Sequence, residues 1–179
     1  ILEKVVPYVD FFVPSVEELC YMLDRPRFKE WEKRAGKKDI TEVINIEQDV
    51  KPLADMCMDC GAKVLLIKCG ASGMYYRTAK SDCLRELISS LELCADTWTD
   101  QEGFEKSYVP DQILSGTGAG DTSIAAFLTA MLEGEALADC MHLAAAAGAS
   151  CVASYDALSG LKTLEELRAR IAGGWAKNQ

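Results

Sequence analysis

Lys63 to Gly70 reads KVLLIKCG, a nearly unbroken apolar run of strand length that ends at a glycine. A strand that is apolar at successive positions must be covered on both faces, which places it inside a sheet flanked by helices. ASG then turns the chain into MYYRT, predicted as a neighbouring strand. YVDFFVP, from Tyr8 to Pro14, predicts a buried strand running into a loop, and EKSYVPD, from Glu105 to Asp111, predicts a further one. Helical patterns separate these strands. Ser15 with Glu18 forms a capping box before a face of Val16, Leu19 and Leu23. A surface helix is expected around Trp31, and residues 47–62 predict an amphipathic helix closed by Gly61. The pattern from Ser81 to Cys94 fits a helix or an irregular excursion. ALADCMHLAAAAGASCVAS predicts a helix packed closely on several sides, and Thr163 with Glu166 caps a last surface helix. This alternation predicts an α/β fold with a largely parallel sheet and helices on both faces. In such sheets ligands bind beyond the carboxyl ends of strands, where loops lead into helices.

Composition narrows the function. The 179 residues carry a net charge of −9 and no dense basic cluster, which argues against nucleic acid and anionic membranes as partners. Apolar stretches break well short of the roughly 18 residues a membrane span needs. Eight cysteines lie mostly within helical or apolar runs, and reduced cytoplasmic thiols are expected. Cys57 and Cys60 have redox or zinc spacing, but no second Cys or His pair follows at ligand distance, so a structural role is expected. His142 is the only histidine.

SGTGAGDTSIAAFLTAMLEG, from Ser115 to Gly134, is the most informative stretch for chemistry. Ile124, Phe127, Leu128, Met131 and Leu132 fall at helical spacing and predict one buried stripe. Gly118, Ala119 and Gly120 offer successive backbone N–H groups at the helix start, where the helix dipole favours an anion. Asp121 sits in the same turn. A carboxylate beside an anion hole is equipment for phosphoryl transfer to a hydroxyl, the carboxylate taking the proton. On local physics alone, a plain helix cap explains the same residues.

The run from Gly118 to Thr122 resembles the second signature of the PfkB (ribokinase-like) family of carbohydrate and nucleoside kinases, D-T-x-G-A-G-D followed by a small-residue helix. DFFVPSVEEL, VLLIKCGASGMYY and HLAAAAGASCVASYDALSGL resemble other stretches of that family in the same order. The resemblance implies a three-layer ribokinase-like α/β fold and ATP-dependent phosphorylation of a sugar hydroxyl, with magnesium. It implies Asp121 as catalytic base, with Gly118, Ala119 and Gly120 as the anion hole for the γ-phosphate. Glu18 matches the acidic residue that orders magnesium-bound water, and Gly70 and Gly73 lie where backbone approaches the nucleotide. Lys68 stands where many relatives have Thr near the phosphates, as a charge serving them or a strand-end lysine reaching solvent. Ala145, Gly148 and Ala149 line the adenine side by the same resemblance, and close helix packing would equally explain their size.

The chain departs from the pattern in places. Ser15 replaces the family's Asn, and Ser115 and Gly116 replace the Asp and Thr that open the signature. That Asp often helps hold a monovalent cation, so potassium dependence stays open. The resemblance covers residues 1–179 as the C-terminal part of one ribokinase-like domain, with the N-terminal strands and lid absent. ILEKVVPYVDFF accordingly reads as a start inside a fold, with an apolar edge near Tyr8 to Val13, and little activity is expected of this piece alone. The alternatives are a nucleoside or keto-deoxy sugar acid as acceptor, or a non-catalytic nucleotide-binding relative. The full-length protein is expected to be cytoplasmic, and a homodimer is compatible with the family.

Overall fold

The computed structural model describes residues 1–178, which form two compact units. Residues 1–85 and 99–104 make the first. It opens with α1 (Leu2–Val5), a 3₁₀ turn at Val6–Tyr8, and β1 (Phe11–Phe12). The strand is much shorter than the one predicted from Tyr8, because Pro7 fixes a turn there and leaves Tyr8 86% exposed. Phe11 and Phe12 are half-buried rather than buried. α2 (Val16–Leu23) follows, capped as its sequence predicts, and buries Val16, Leu19 and Cys20.

α3 (Arg25–Ala35) is charged outward but inserts Trp31, which is fully buried. Trp31 Nε1 donates to Asp49 Oδ1 at 3.0 Å, while Arg34 Nη2 and the Asn45 amide each donate to Oδ2 at 2.7 Å. Burial pushes the Asp49 carboxyl up, but these three donors outweigh it and hold it below its ordinary range. The predicted helix over 47–62 is divided. A π-turn (Ile46–Val50) feeds α4 (Lys51–Asp59), and Pro52 sits in the first turn of α4, where a missing N–H is harmless.

β2 (Val64–Lys68) is buried at every position except Lys68, as a central strand should be. It pairs in parallel with β1 through Phe11–Val64 and Phe12–Leu65. β3 (Gly73–Thr78) returns antiparallel, with Leu66 opposite Tyr76. The expectation of parallel pairing therefore holds at β1–β2, while a tight hairpin makes the sheet mixed at β2–β3. The chain leaves along α5 (Ser81–Ser90), so a helix replaces the undecided excursion, and α6 (Ala95–Trp98). β4 (Glu102–Lys106), whose first three residues belong to this unit, completes the order β1-β2-β3-β4. It lies upstream of the strand predicted over 105–111. Leu19, Trp31, Leu53, Leu65 and Ile67 centre this unit's core.

The second unit comprises residues 86–98 and 105–178 among those described. Beyond β4 the chain pairs with the C-terminal tail instead of continuing a strand. The Val109 amide donates to Ala176 O, and the Asn178 amide donates to Ser107 O, each at 2.8 Å. The unit's core is a helix pair, α7 (Ala119–Leu132) against α8 (Leu137–Cys151), joined by α9 (Leu164–Ala172). α7 buries Thr122, Ser123, Ala126, Phe127, Ala130 and Met131, so the predicted stripe is rotated and Leu132 is exposed. The cause is close approach to α8. Gly148 faces Ser123, leaving no room for a Cβ, so small side chains win the interface. Among the described residues no helix is long and apolar enough to cross a membrane.

Candidate functional site

Among the described residues, four helices carry an acid at their third position. α2 and α9 fold it back onto the cap, whereas α7 and α8, which begin after Gly118 and Ala136, leave Asp121 and Asp139 exposed with no side-chain cap. In α2, Glu18 Oε2 accepts from the Ser15 amide at 3.0 Å while Ser15 Oγ accepts from the Glu18 amide at 3.3 Å. In α9, Glu166 Oε2 accepts from the Thr163 amide at 2.8 Å, and Thr163 Oγ1 accepts from the Glu166 amide at 3.2 Å. Both are closed capping boxes. In α7 the third position is Asp121, and the N-cap is Gly118, which offers no side chain.

Gly118 is left-handed, at φ 79° and ψ −8°, and a Cβ there would overlap Ala157. Both facts demand glycine. The Gly118 carbonyl accepts from the Thr122 amide at 2.8 Å, which starts the helix. The Ala119 amide donates to Gly116 O at a long 3.3 Å, so it is partly engaged. Among the described residues, the amides of Gly120 and Asp121 reach no backbone acceptor, and the exposed Asp121 carboxylate has no hydrogen bond or ion pair. Free donors at the positive end of a 14-residue helix, beside a free carboxylate, can hold an anion and accept a proton. Ser115, where the family has Asp, accepts from the Thr117 amide through Oγ at 3.1 Å and shapes the approach to the turn.

The first unit holds the other predicted residues. Glu18 is exposed and lines an open depression with Phe12, Pro14, Tyr21 and Met22. The Ser15 amide and hydroxyl hold the Glu18 carboxyl below its ordinary value, against a small desolvation, and the Lys68 charge adds to the effect. Lys68 and Glu18 therefore share one electrostatic environment. Lys68 is half-buried at the end of β2, where its amide donates to Pro14 O at 3.0 Å.

The β2–β3 turn contains Gly70 at φ 56° and Gly73 at φ 134°. A Cβ on Gly70 would stand 2.6 Å from Thr41 Oγ1, and Thr41 is itself held by Asp39 Oδ1 through both its amide and its hydroxyl. Thr41 is a partner of this turn with no local sequence signal, because it lies on a distant 3₁₀ turn.

Ala145, Gly148 and Ala149 are buried on α8. Gly148 faces Ser123, whose Oγ donates to Ala119 O at 2.8 Å, so the small residue there serves helix packing behind the glycine turn. Cys57 is buried and Cys60 half-buried. Burial pushes the Cys57 thiol up to about 12, the opposite of what a redox or metal-binding thiolate needs.

Residues 2–164 match the family described as pfkB family carbohydrate kinase. A curated ribokinase from Arabidopsis thaliana is 33% identical over 97 residues, 54% of this chain and 20% of the relative. The structure of Arabidopsis thaliana ribokinase complexed with ribose and ATP superposes with a TM-score of 0.62 at 20% identity, covering 93% of this chain and 42% of that one. Aminoimidazole riboside kinase from Salmonella enterica, solved with aminoimidazole riboside and an ATP analog, gives 0.61 at 18% identity, covering 94% and 44%. The chain thus spans less than half the length of these relatives, and the likeness to the solved structures establishes the ribokinase-like α/β fold.

Proposed function

Because the chain belongs to the pfkB family of carbohydrate kinases, we propose that it carries the catalytic turn of an ATP-dependent kinase acting on a sugar hydroxyl. The observation that carries this reading is the glycine start of α7. A left-handed Gly118, the open amides of Gly120 and Asp121 and the free Asp121 carboxylate lie in one turn. α8, which also leaves an acid free at its third position, starts instead from an extended Ala136.

In the proposed reaction an Asp121 oxygen accepts the proton of the acceptor hydroxyl as that oxygen attacks the γ-phosphorus of ATP. The bond from the γ-phosphorus to the bridging oxygen breaks, ADP leaves with the electron pair, and Asp121 later gives its proton to solvent. The open amides of Gly120 and Asp121 and that of Gly118, with that of Ala119 where it can be released from Gly116, hold charge on the transferring phosphoryl group. In the first unit, Gly70 and Gly73 give the nucleotide bare backbone, and Lys68 supplies a positive charge. Ala145, Gly148 and Ala149 act from behind, as the packed helix that supports the turn.

Magnesium is implied by the family, and the donor chemistry is compatible with it. Among the described residues no three His, Cys, Asp or Glu side chains form a metal cluster. Magnesium is commonly held by one or two carboxylates with phosphate oxygens and water, and Glu18 would be that carboxylate. Bound there, the ion would neutralise charge on the phosphates.

A nucleoside acceptor is the second reading, supported by the riboside kinase among the structural relatives. A cytoplasmic location and a homodimer belong to the proposal for the intact protein. The test is a screen of sugars and nucleosides with the intact protein and Mg-ATP, reading ADP release. Acceptor-dependent turnover on a sugar is expected. Turnover on nucleosides alone moves the reading to the second acceptor class, and ATP binding without turnover on any acceptor makes the chain a non-catalytic relative.

A further inference from the structure

The glycine turn is held locally by the Thr117 amide on Ser115 Oγ, the Ala119 amide on Gly116 O and the Thr122 amide on Gly118 O. Its N-cap has no side chain, and its backbone accepts or donates few other local hydrogen bonds, yet one conformation must present the amides of Gly120 and Asp121. Further support comes from a segment distant in sequence, residues 151–160, which leaves the end of α8 and passes alongside the turn.

Three observations converge on it. First, Ala157 occupies the space that any Cβ on Gly118 would need, so the loop seats directly on the N-cap. Second, the buried Cys151 sulfur joins one side-chain hydroxyl and two backbone carbonyls from three segments. Thr122 Oγ1 donates to Sγ at 3.5 Å, and Sγ lies 3.6 Å from Thr117 O and 3.7 Å from Ala157 O, either of which can accept the thiol proton. Thr117 precedes the N-cap and Thr122 follows Asp121, so the sulfur brackets the turn on both sides. Third, the loop is itself fixed. Asp156 accepts from the Leu158 and Ser159 amides at 2.9 and 2.8 Å and from Ser159 Oγ at 2.7 Å, and Gly160 packs against the carbonyls of Ser150 and Cys151. The Leu114 amide, donating to Val152 O at 2.8 Å, ties the approach to the turn to the same segment.

We propose that residues 151–160 are a buttress that fixes the amides of the glycine turn, with Cys151 and Ala157 as positioning residues. The amide placement stands on the contacts above, and its consequence for turnover rests on the kinase reading. A thiol suits the post because its long C–S bond reaches three segments that a hydroxyl meets less evenly, and its weak hydrogen bonds tolerate those distances. Displacing catalytic groups by about 1 Å can cost on the order of 100-fold in rate, so a loosened buttress acts on turnover before it acts on folding.

The experiment uses the intact protein as wild type, Cys151→Ala, Cys151→Ser and Ala157→Gly. Amide ¹H–¹⁵N resonances are read for Gly118, Gly120 and Asp121, with Gly134 and Gly174 as controls elsewhere in the same unit. Kinetics with Mg-ATP and the best acceptor are read alongside. The expected result is displaced or broadened turn resonances in Cys151→Ala and Ala157→Gly with the controls unmoved. kcat then falls about 10- to 100-fold while KM for the acceptor changes less than about 2-fold, and Cys151→Ser restores most of both. Turn resonances that stay in place in both variants would overturn the buttress. So would a loss of turnover that tracks thermal stability and is not rescued by serine. Should Cys151→Ala fail to fold, Ala157→Gly, which leaves the thiol in place, decides by the same readouts. If wild type shows no turnover but the resonances move as expected, the buttress stands and the kinase reading falls.

Discussion

The starts of α2 and α7 are built from similar parts and end in opposite states. Each has a small N-cap residue and an acid three positions on. At α2, Ser15 and Glu18 satisfy each other's amides and the helix end is closed. At α7, glycine removes the cap side chain, the left-handed backbone turns the approach aside, and the shorter Asp121 stays free. A closed cap contributes about 1 kcal/mol of helix stability. α8 also starts without a side-chain cap and leaves Asp139 exposed, so what sets α7 apart is the left-handed Gly118 at its N-cap. Glu18 also shows that capping and facing a ligand are not exclusive, since its carboxylate caps α2 while the residue lines an open depression.

The contrast can be broken most severely at Gly118. Gly118→Ala forces a side chain into a left-handed position and into Ala157, and should destabilise the second unit by about 3 kcal/mol in denaturant unfolding. Gly70→Ala tests the first unit's turn in the same way. Its Cβ meets the end of Thr41, which can give slightly, so about 2 kcal/mol is expected by the same assay. Removing a closed cap is milder. Ser15→Ala and Thr163→Ala should each lower stability by about 1 kcal/mol, measured by chemical unfolding, without moving the glycine-turn amides.

The smallest effect is in pH. The Glu18 and Glu166 carboxyls are held below their ordinary value of 4.5, chiefly by hydrogen bonds from their N-cap residues. Their stabilisation is present above pH 4.5 and fades as pH falls through the lowered native values, when the unfolded chain has already taken up its protons. Thermal melts from pH 6 to 3 should show a shallower acid loss in Glu166→Gln than in wild type. Equal slopes would mean that the cap is not held in solution.

Much of this contrast was legible in the sequence. Ser15 with Glu18 and Thr163 with Glu166 are local patterns, and the structure holds both as boxes. The covered strand at Val64–Lys68 was equally local, since apolar side chains at successive positions admit little else. Long-range packing was not legible. The α7 stripe was misplaced because apolarity marked Leu132, while the real interface selects small residues against Gly148. Tyr8 looked like a strand residue until Pro7 set a turn. Neither Cys151 nor Ala157 carries any sign of its place beside Gly118, since only the tertiary fold brings the end of α8 to the start of α7.

The function proposed for the glycine turn makes Asp121 the base that takes the hydroxyl proton. Asp121→Asn in the intact protein keeps size and shape but removes the ability to take the hydroxyl proton. Turnover should fall by about 10²- to 10⁴-fold, while the dissociation constant of ATP, read by calorimetry, changes by no more than a few-fold. Turnover within a few-fold of wild type, or a loss of ATP binding that matches the loss of turnover, would contradict it.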